Sequence, residues 1–420
     1  MKRLFALRCA RIAATLSAAA LFVVAGAQAQ PSTVLIDLES DQTILSEEAS
    51  LKVESPAVVP MMTLYTALTL LEENKIPLEA PLAAATSEAP ASKHGSAKKT
   101  AGRKTSKAQA APRENSAADA LLAFAVSADR AAGKALIKLA GETDKTFTAR
   151  MNELAKALEL QNTHFTSPFA DAADGSTTSA LDAANLAKAL FNKFPQAKLW
   201  TAERTASFDE RTIDNTNPFL NSSVSGVSVV ETSQSANAVV LAEDQKANGR
   251  IRSLLVVVLD ADDRKNLRER VSTTLLRGWR DYEAVMVYPA GAIVANVPIY
   301  RGESDDIPVK VNDDVFVTIP RERLLELGEG AIELSIRRWS PLIAPIRAGE
   351  QLGTLSVSSN GEVLKTVPIT TEKSVGEGNF LKRLTDNIRL AFDHDARRQG
   401  AVRHAAEHLD DKREAANTTP

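Results

Sequence analysis

The chain has 420 residues, enough for two or more domains, and its 44% hydrophobic content is that of a globular protein with a sizeable core. With 50 basic against 53 acidic residues and a formal net charge of -3, it is not a globally basic nucleic-acid binder. The single cysteine, Cys9, falls in an N-terminal leader, so the mature chain is expected to have no disulfide, thiolate nucleophile or cysteine metal site.

That leader spans residues 1–29. Lys2, Arg3, Arg8 and Arg11 give a basic start, Ile12 to Val24 an apolar run, and Ala27-Gln28-Ala29 a small-residue cleavage site. The run is short and rich in Ala and Ser, which fits a secretory signal peptide and not a membrane-spanning helix.

Two β-rich runs, Thr33 to Leu38 and Gln42 to Ser46, predict a hairpin. A helix from about Ala57 to Glu73 follows, with Met61, Met62, Tyr65, Leu68 and Leu71 recurring at helical spacing as one core face. Residues 83–116 then change to Ala, Ser, Thr and Lys without an aromatic, and Lys93, Lys98, Lys99, Arg103, Lys104, Lys107 and Arg113 make them basic. Such a low-complexity insert cannot bury a core and is expected to be a solvated, disordered linker.

Helices are predicted at Ala117 to Val126, Ala131 to Leu139, Lys145 to Leu158 and Ala183 to Leu190, the last capped by Thr178 or Ser179. His164 reads as a turn histidine. Asn237 to Leu241 and Ser253 to Leu259 read as central strands, the second apolar throughout and so covered on both faces. Asp260, Asp262 and Asp263 read as a strand-to-helix loop with capping residues, not a cation site. The helix Arg264 to Tyr282 beyond it turns Leu267, Val271, Leu275 and Trp279 to one side. From Glu283 to Thr371 seven short alternating runs suggest a small β-sandwich. Phe380, Leu381, Leu384, Ile388, Ala391 and Phe392 line one face of a last helix that also carries Lys382, Arg383 and Arg389. His404, Glu407 and His408 spell a zinc-peptidase arrangement, but in a polar tail with no fold to supply a third ligand; no metal and no cofactor are expected.

Several stretches resemble the D-alanyl-D-alanine carboxypeptidase family, the low-molecular-mass penicillin-binding proteins of peptidase S11 type. Ser55-Pro56-Ala57 leading into Met61-Met62-Thr63, Asn162-Thr163-His164-Phe165, Thr178-Ser179-Ala180-Leu181-Asp182, Asn215-Thr216-Asn217 and Pro341 to Gly353 look like its scaffold motifs. The resemblance implies an α/β penicillin-binding domain of β-lactamase/transpeptidase-like type, with a central antiparallel sheet flanked by helices, over residues 30–281. A small all-β sandwich is implied for 282–372, and an amphipathic helix with a polar tail for 373–420.

The catalytic elements depart from the family pattern. Ala57 and Pro60 stand where the family has a serine nucleophile and a lysine one helical turn apart. Ser127 keeps the hydroxyl of the Ser-x-Asn element, but Asp129 replaces its amide. Glu231, Thr232 and Ser233 match Lys-Thr-Gly with only the threonine retained, and a glutamate repels the carboxylate that the lysine attracts. A degenerate member is therefore expected, without catalytic residues. It would bind peptidoglycan or cell-wall synthesis proteins in the periplasm, with weak contact to the inner-membrane surface through its last helix and no nucleic-acid partner. Two alternatives stay open: an active carboxypeptidase with a displaced nucleophile such as Ser127, and a structural adaptor at the membrane surface.

Overall fold

The computed structural model describes residues 31–82, 115–170, 175–220, 224–231, 236–245 and 250–390. The expected signal peptide, most of the basic insert, Thr232, Ser233 and the tail from 391, with Ala391, Phe392 and the His404 motif, lie outside the described residues.

The chain opens with β1 (Ser32–Asp37), β2 (Gln42–Glu47) and β3 (Val53–Glu54), then α1 (Val58–Glu73). Past the insert come α2 (Ala117–Ser127), α3 (Arg130–Leu139), α4 (Asp144–Ala157), β4 (Thr177–Thr178), α5 (Ala180–Lys193) and α6 (Gln196–Ala202). The hairpin β5 (Thr205–Phe208) and β6 (Arg211–Asp214) leads to β7 (Val224–Glu231), β8 (Ala236–Gln245), β9 (Ile251–Ala261) and α7 (Arg264–Asp281). The second half holds β10 (Tyr282–Tyr288), β11 (Ile293–Pro298), β12 (Asp306–Lys310), β13 (Val315–Pro320), α8 (Arg321–Leu327), β14 (Glu333–Arg338), β15 (Gln351–Ser359) and β16 (Glu362–Thr370). Residues 380–390 form a further helix, α9.

The first half is built on an antiparallel sheet of order β2-β1-β9-β8-β7. In β9, successive side chains point to opposite faces, so Leu255, Val257 and Leu259 feed the core under α1 and α5 while Leu254, Val256 and Val258 feed the one under α7. This is why the strand is apolar at nearly every position. Each such side chain taken from water contributes about 1.5–3 kcal/mol.

The sequence predicts one apolar face for α1, but the helix is buried on every side from Val58 to Leu71. It can be, because its other positions carry threonines small enough to pack; the Thr63 hydroxyl donates to Pro168 O at 2.8 Å. The neighbouring helices start on their own chemistry. Ser116 and Asp119 form a capping box for α2, Thr143 and Thr146 one for α4, and Ser179 caps α5. Asp263 caps α7 by accepting from Asn266 N at 2.8 Å.

In the second half, β10 pairs with β13 and a five-stranded sheet runs β11-β12-β16-β15-β14; the two close over Ile307, Val309, Val317, Leu355, Val357 and Ile369. The short helix α8, not predicted from local periodicity, joins β13 to β14. The halves meet at the β1–β2 turn. Ser40 Oγ and Thr318 Oγ1 share a hydrogen bond of 2.7 Å, Gln42 accepts from Thr318 N, and Lys365 Nζ donates to Ser40 O at 3.0 Å. Burial there pushes the Lys365 ammonium below the ordinary lysine range.

Candidate functional site

Ala57 is the N-cap of α1 and is fully buried; its N–H lies 3.4 Å from Ser55 Oγ. Ser55 N donates to Ser176 O at 3.1 Å, which pins the entry of the helix to the segment before α5. Pro60 lies in the first turn, where a missing N–H removes no intrahelical bond, so the helix forms normally. Neither side chain holds a nucleophilic oxygen or a titratable amine.

The α2–α3 joint packs beside this helix. Ser127 ends α2, half-buried, and Ala128 turns the chain in the left-handed region at φ 55°. The Asp129 carboxylate accepts from Ala132 N at 2.9 Å as the cap of α3 and is paired at 3.3 Å with Arg211 of β6. The Asp129 carboxylate is thus committed to a helix cap and an ion pair. Arg211 went unnoticed in the sequence: it lies 82 residues away and no local pattern announces it.

The strand β7 packs against α1 and ends at Glu231, whose backbone opposes Ala236 of β8. The elements carrying Ala57, Ser127 and Glu231 are therefore assembled around α1, which touches both α2 and β7.

The scaffold motifs flanking this site are tied by hydrogen bonds. Asp182 is buried and accepts from Asn162 N at 2.7 Å and from Thr163 Oγ1 at 2.8 Å, joining the Asn-Thr turn to the start of α5. Asn152 brackets Phe165, donating to its carbonyl at 2.8 Å and accepting from its N–H at 2.9 Å. His164 is exposed, and its backbone exchanges two hydrogen bonds with Thr177, each 2.9 Å. No group of three His, Cys, Asp or Glu that could hold a metal occurs among the described residues. A groove of about 530 Å³ between Pro218–Leu220 and α7 lies on the opposite face of the sheet from α1.

Comparison with known proteins agrees with this architecture. Residues 21–263 match the family model for D-alanyl-D-alanine carboxypeptidase, and residues 282–377 that for the penicillin-binding protein 5 C-terminal domain. The chain is 28% identical over 260 residues to D-alanyl-D-alanine carboxypeptidase DacA of Escherichia coli (strain K12), a match over 62% of this chain and 63% of the relative, which is less than two thirds of that relative's length. It is 25% identical over 363 residues to D-alanyl-D-alanine carboxypeptidase DacF of Bacillus subtilis (strain 168), over 84% of this chain and 88% of the relative. Among solved structures, penicillin binding protein 5 from Haemophilus influenzae superposes with a TM-score of 0.66 at 21% identity, over 82% of this chain and 97% of that one, and shows the same fold. With the first of these family models spanning more than half of its length, the chain belongs to the D-alanyl-D-alanine carboxypeptidase family.

Proposed function

We propose that this member of the family has lost carboxypeptidase activity and acts by binding, to peptidoglycan or to cell-wall synthesis proteins, in the periplasm. The observation that carries the reading is Ala57, a buried methyl at the start of α1, with Pro60 one turn further along. Acyl transfer needs a nucleophile and a base within hydrogen-bond reach, and these two positions offer hydrocarbon. Asp129 supports it, since its side chain is an acceptor-only carboxylate, already bonded to Ala132 N and paired with Arg211, and has no amide N–H to offer a substrate. Glu231, Thr232 and Ser233 belong to the same reading through their sequence: the charge that would attract a substrate carboxylate is reversed.

Contact with the membrane surface is part of the proposal. Phe380 and Leu381 of α9 are 72% and 70% exposed, with Leu384 and Ile388 beside them and Arg383 and Arg389 on the same helix. No helix among the described residues is long and apolar enough to cross a membrane.

The test is incubation of the purified mature protein with a fluorescent penicillin, followed by a denaturing gel, beside co-sedimentation with peptidoglycan sacculi. No covalent band and retention on sacculi are expected. A labelled band would overturn the loss of activity, and mass spectrometry of the adduct would show whether Ser127 is the displaced nucleophile.

A further inference from the structure

At the edge of the five-stranded sheet, β14 is exposed at five of its six positions, with Arg338 half-buried. An edge strand presents unpaired backbone groups, and proteins usually blunt such edges with proline, lysine or a bulge. The strand Glu333-Leu334-Ser335-Ile336-Arg337-Arg338 has no proline, lysine or bulge; its charges, Glu333, Arg337 and Arg338, are of both signs, and its pairing with β15 runs without a register shift.

Its backbone and side-chain directions follow from the ladder. Just past the strand, Trp339 N donates to Leu352 O at 2.8 Å, so residues of the same parity, Glu333, Ser335 and Arg337, turn their backbone groups toward β15. Leu334 and Ile336 turn theirs outward. The Leu334 and Ile336 side chains share the face of Val357 and Leu355, their partners in β15, which lie in the core; yet at the edge they remain 47% and 36% exposed. Glu333 and Arg337 stand on the other face, both exposed.

We propose that β14 pairs antiparallel with the β14 of a second copy of this chain, about a two-fold axis through Ser335. That register sets Leu334 opposite the second copy's Ile336, so the outward backbone groups of both meet in hydrogen-bonded pairs and the apolar side chains cover each other. It also sets Glu333 opposite Arg337 twice over. Moving the register by one residue opposes the apolar face of one strand to the polar face of the other, and moving it by two loses the Glu–Arg pairing. The complementarity is thus internal to six residues and requires no other partner. The arrangement is isologous and closes at two chains, and it is independent of whether the cleft near Ala57 is active.

Sedimentation velocity of the full mature chain, over about a hundredfold range of concentration, tests it. The wild-type protein is expected to move from monomer to dimer as concentration rises. Ile336→Pro removes an outward donor without touching the bonds to β15, and should leave a folded monomer, checked by circular dichroism. Arg337→Glu should weaken the dimer about tenfold, as should Glu333→Arg, while the double reversal Glu333→Arg/Arg337→Glu should restore it. A wild-type chain that stays monomeric throughout overturns the proposal, as does a dimer whose dissociation constant is unmoved by Ile336→Pro and by either single reversal.

Discussion

Arg252 donates through Nε to the Asp37 carboxylate at 2.8 Å, with both side chains wholly buried between β9 and β1. Its Nη1 donates to Tyr282 O at 3.0 Å, and the guanidinium lies over the Trp279 ring. One residue thus links the first sheet, the end of α7 and the first strand of the second half. Removing one partner of such a pair strands a buried charge, so Asp37→Ala is expected to cost about 3–5 kcal/mol. Replacing both, as Asp37→Leu with Arg252→Met, should cost much less, because no unpaired ion remains. Urea denaturation midpoints of the two variants check the difference.

Asp182 gives a second test, at the start of α5. Its carboxylate accepts from Asn162 N and Thr163 Oγ1 out of solvent. Asp182→Ala takes the acceptor from Asn162 N, while Thr163 Oγ1 keeps Thr178 Oγ1 as a partner at 2.9 Å, and is expected to destabilise the protein by about 1–3 kcal/mol, read as a lowered denaturation midpoint. Asp182→Asn keeps one acceptor and should lose less.

Gly353 lies where β15 opposes Arg338, and an added Cβ would meet the Arg338 Cα at 2.7 Å and crowd the Arg337 carbonyl. The obstacle is backbone, which cannot rotate aside. Gly353→Ala should therefore separate β14 from β15 at a cost of about 1–3 kcal/mol, visible as faster amide exchange along β14.

The docking of α9 should depend on acidity. Lys382 of α9 bonds to Asp305, and that hydrogen bond, more than the attraction between the charges, holds the Asp305 carboxyl below its ordinary range. A depressed carboxylate favours the folded form above its ordinary pKa. That contribution falls away as pH drops from the ordinary value to the depressed one. Proteolysis of α9 should therefore quicken below the usual carboxylate range, and Lys382→Met should abolish most of the dependence.

The hairpin of β1 and β2, α1, the two-faced strand β9 and the β-rich second half were legible because each rests on local periodicity or capping chemistry. The β5–β6 hairpin was not. Its turn, Asp209-Glu210, has both residues at positive φ, yet lacks the glycine or asparagine that usually marks such turns. The all-round burial of α1 was hidden because Thr63, Thr66 and Thr69 read as a polar face. The tie between Asp129 and Arg211 depends on how β6 folds back, which no stretch of sequence near either residue encodes.

The bonds from Ser40 and Gln42 to Thr318, and from Lys365 to Ser40, lie at the tip of a turn whose strand β1 continues into the middle of the first sheet. Mechanically this is a lever arm. A tug on the distal β-half is delivered through that tip to the layer beneath α1, so load is shared by both halves and not absorbed in a slack hinge.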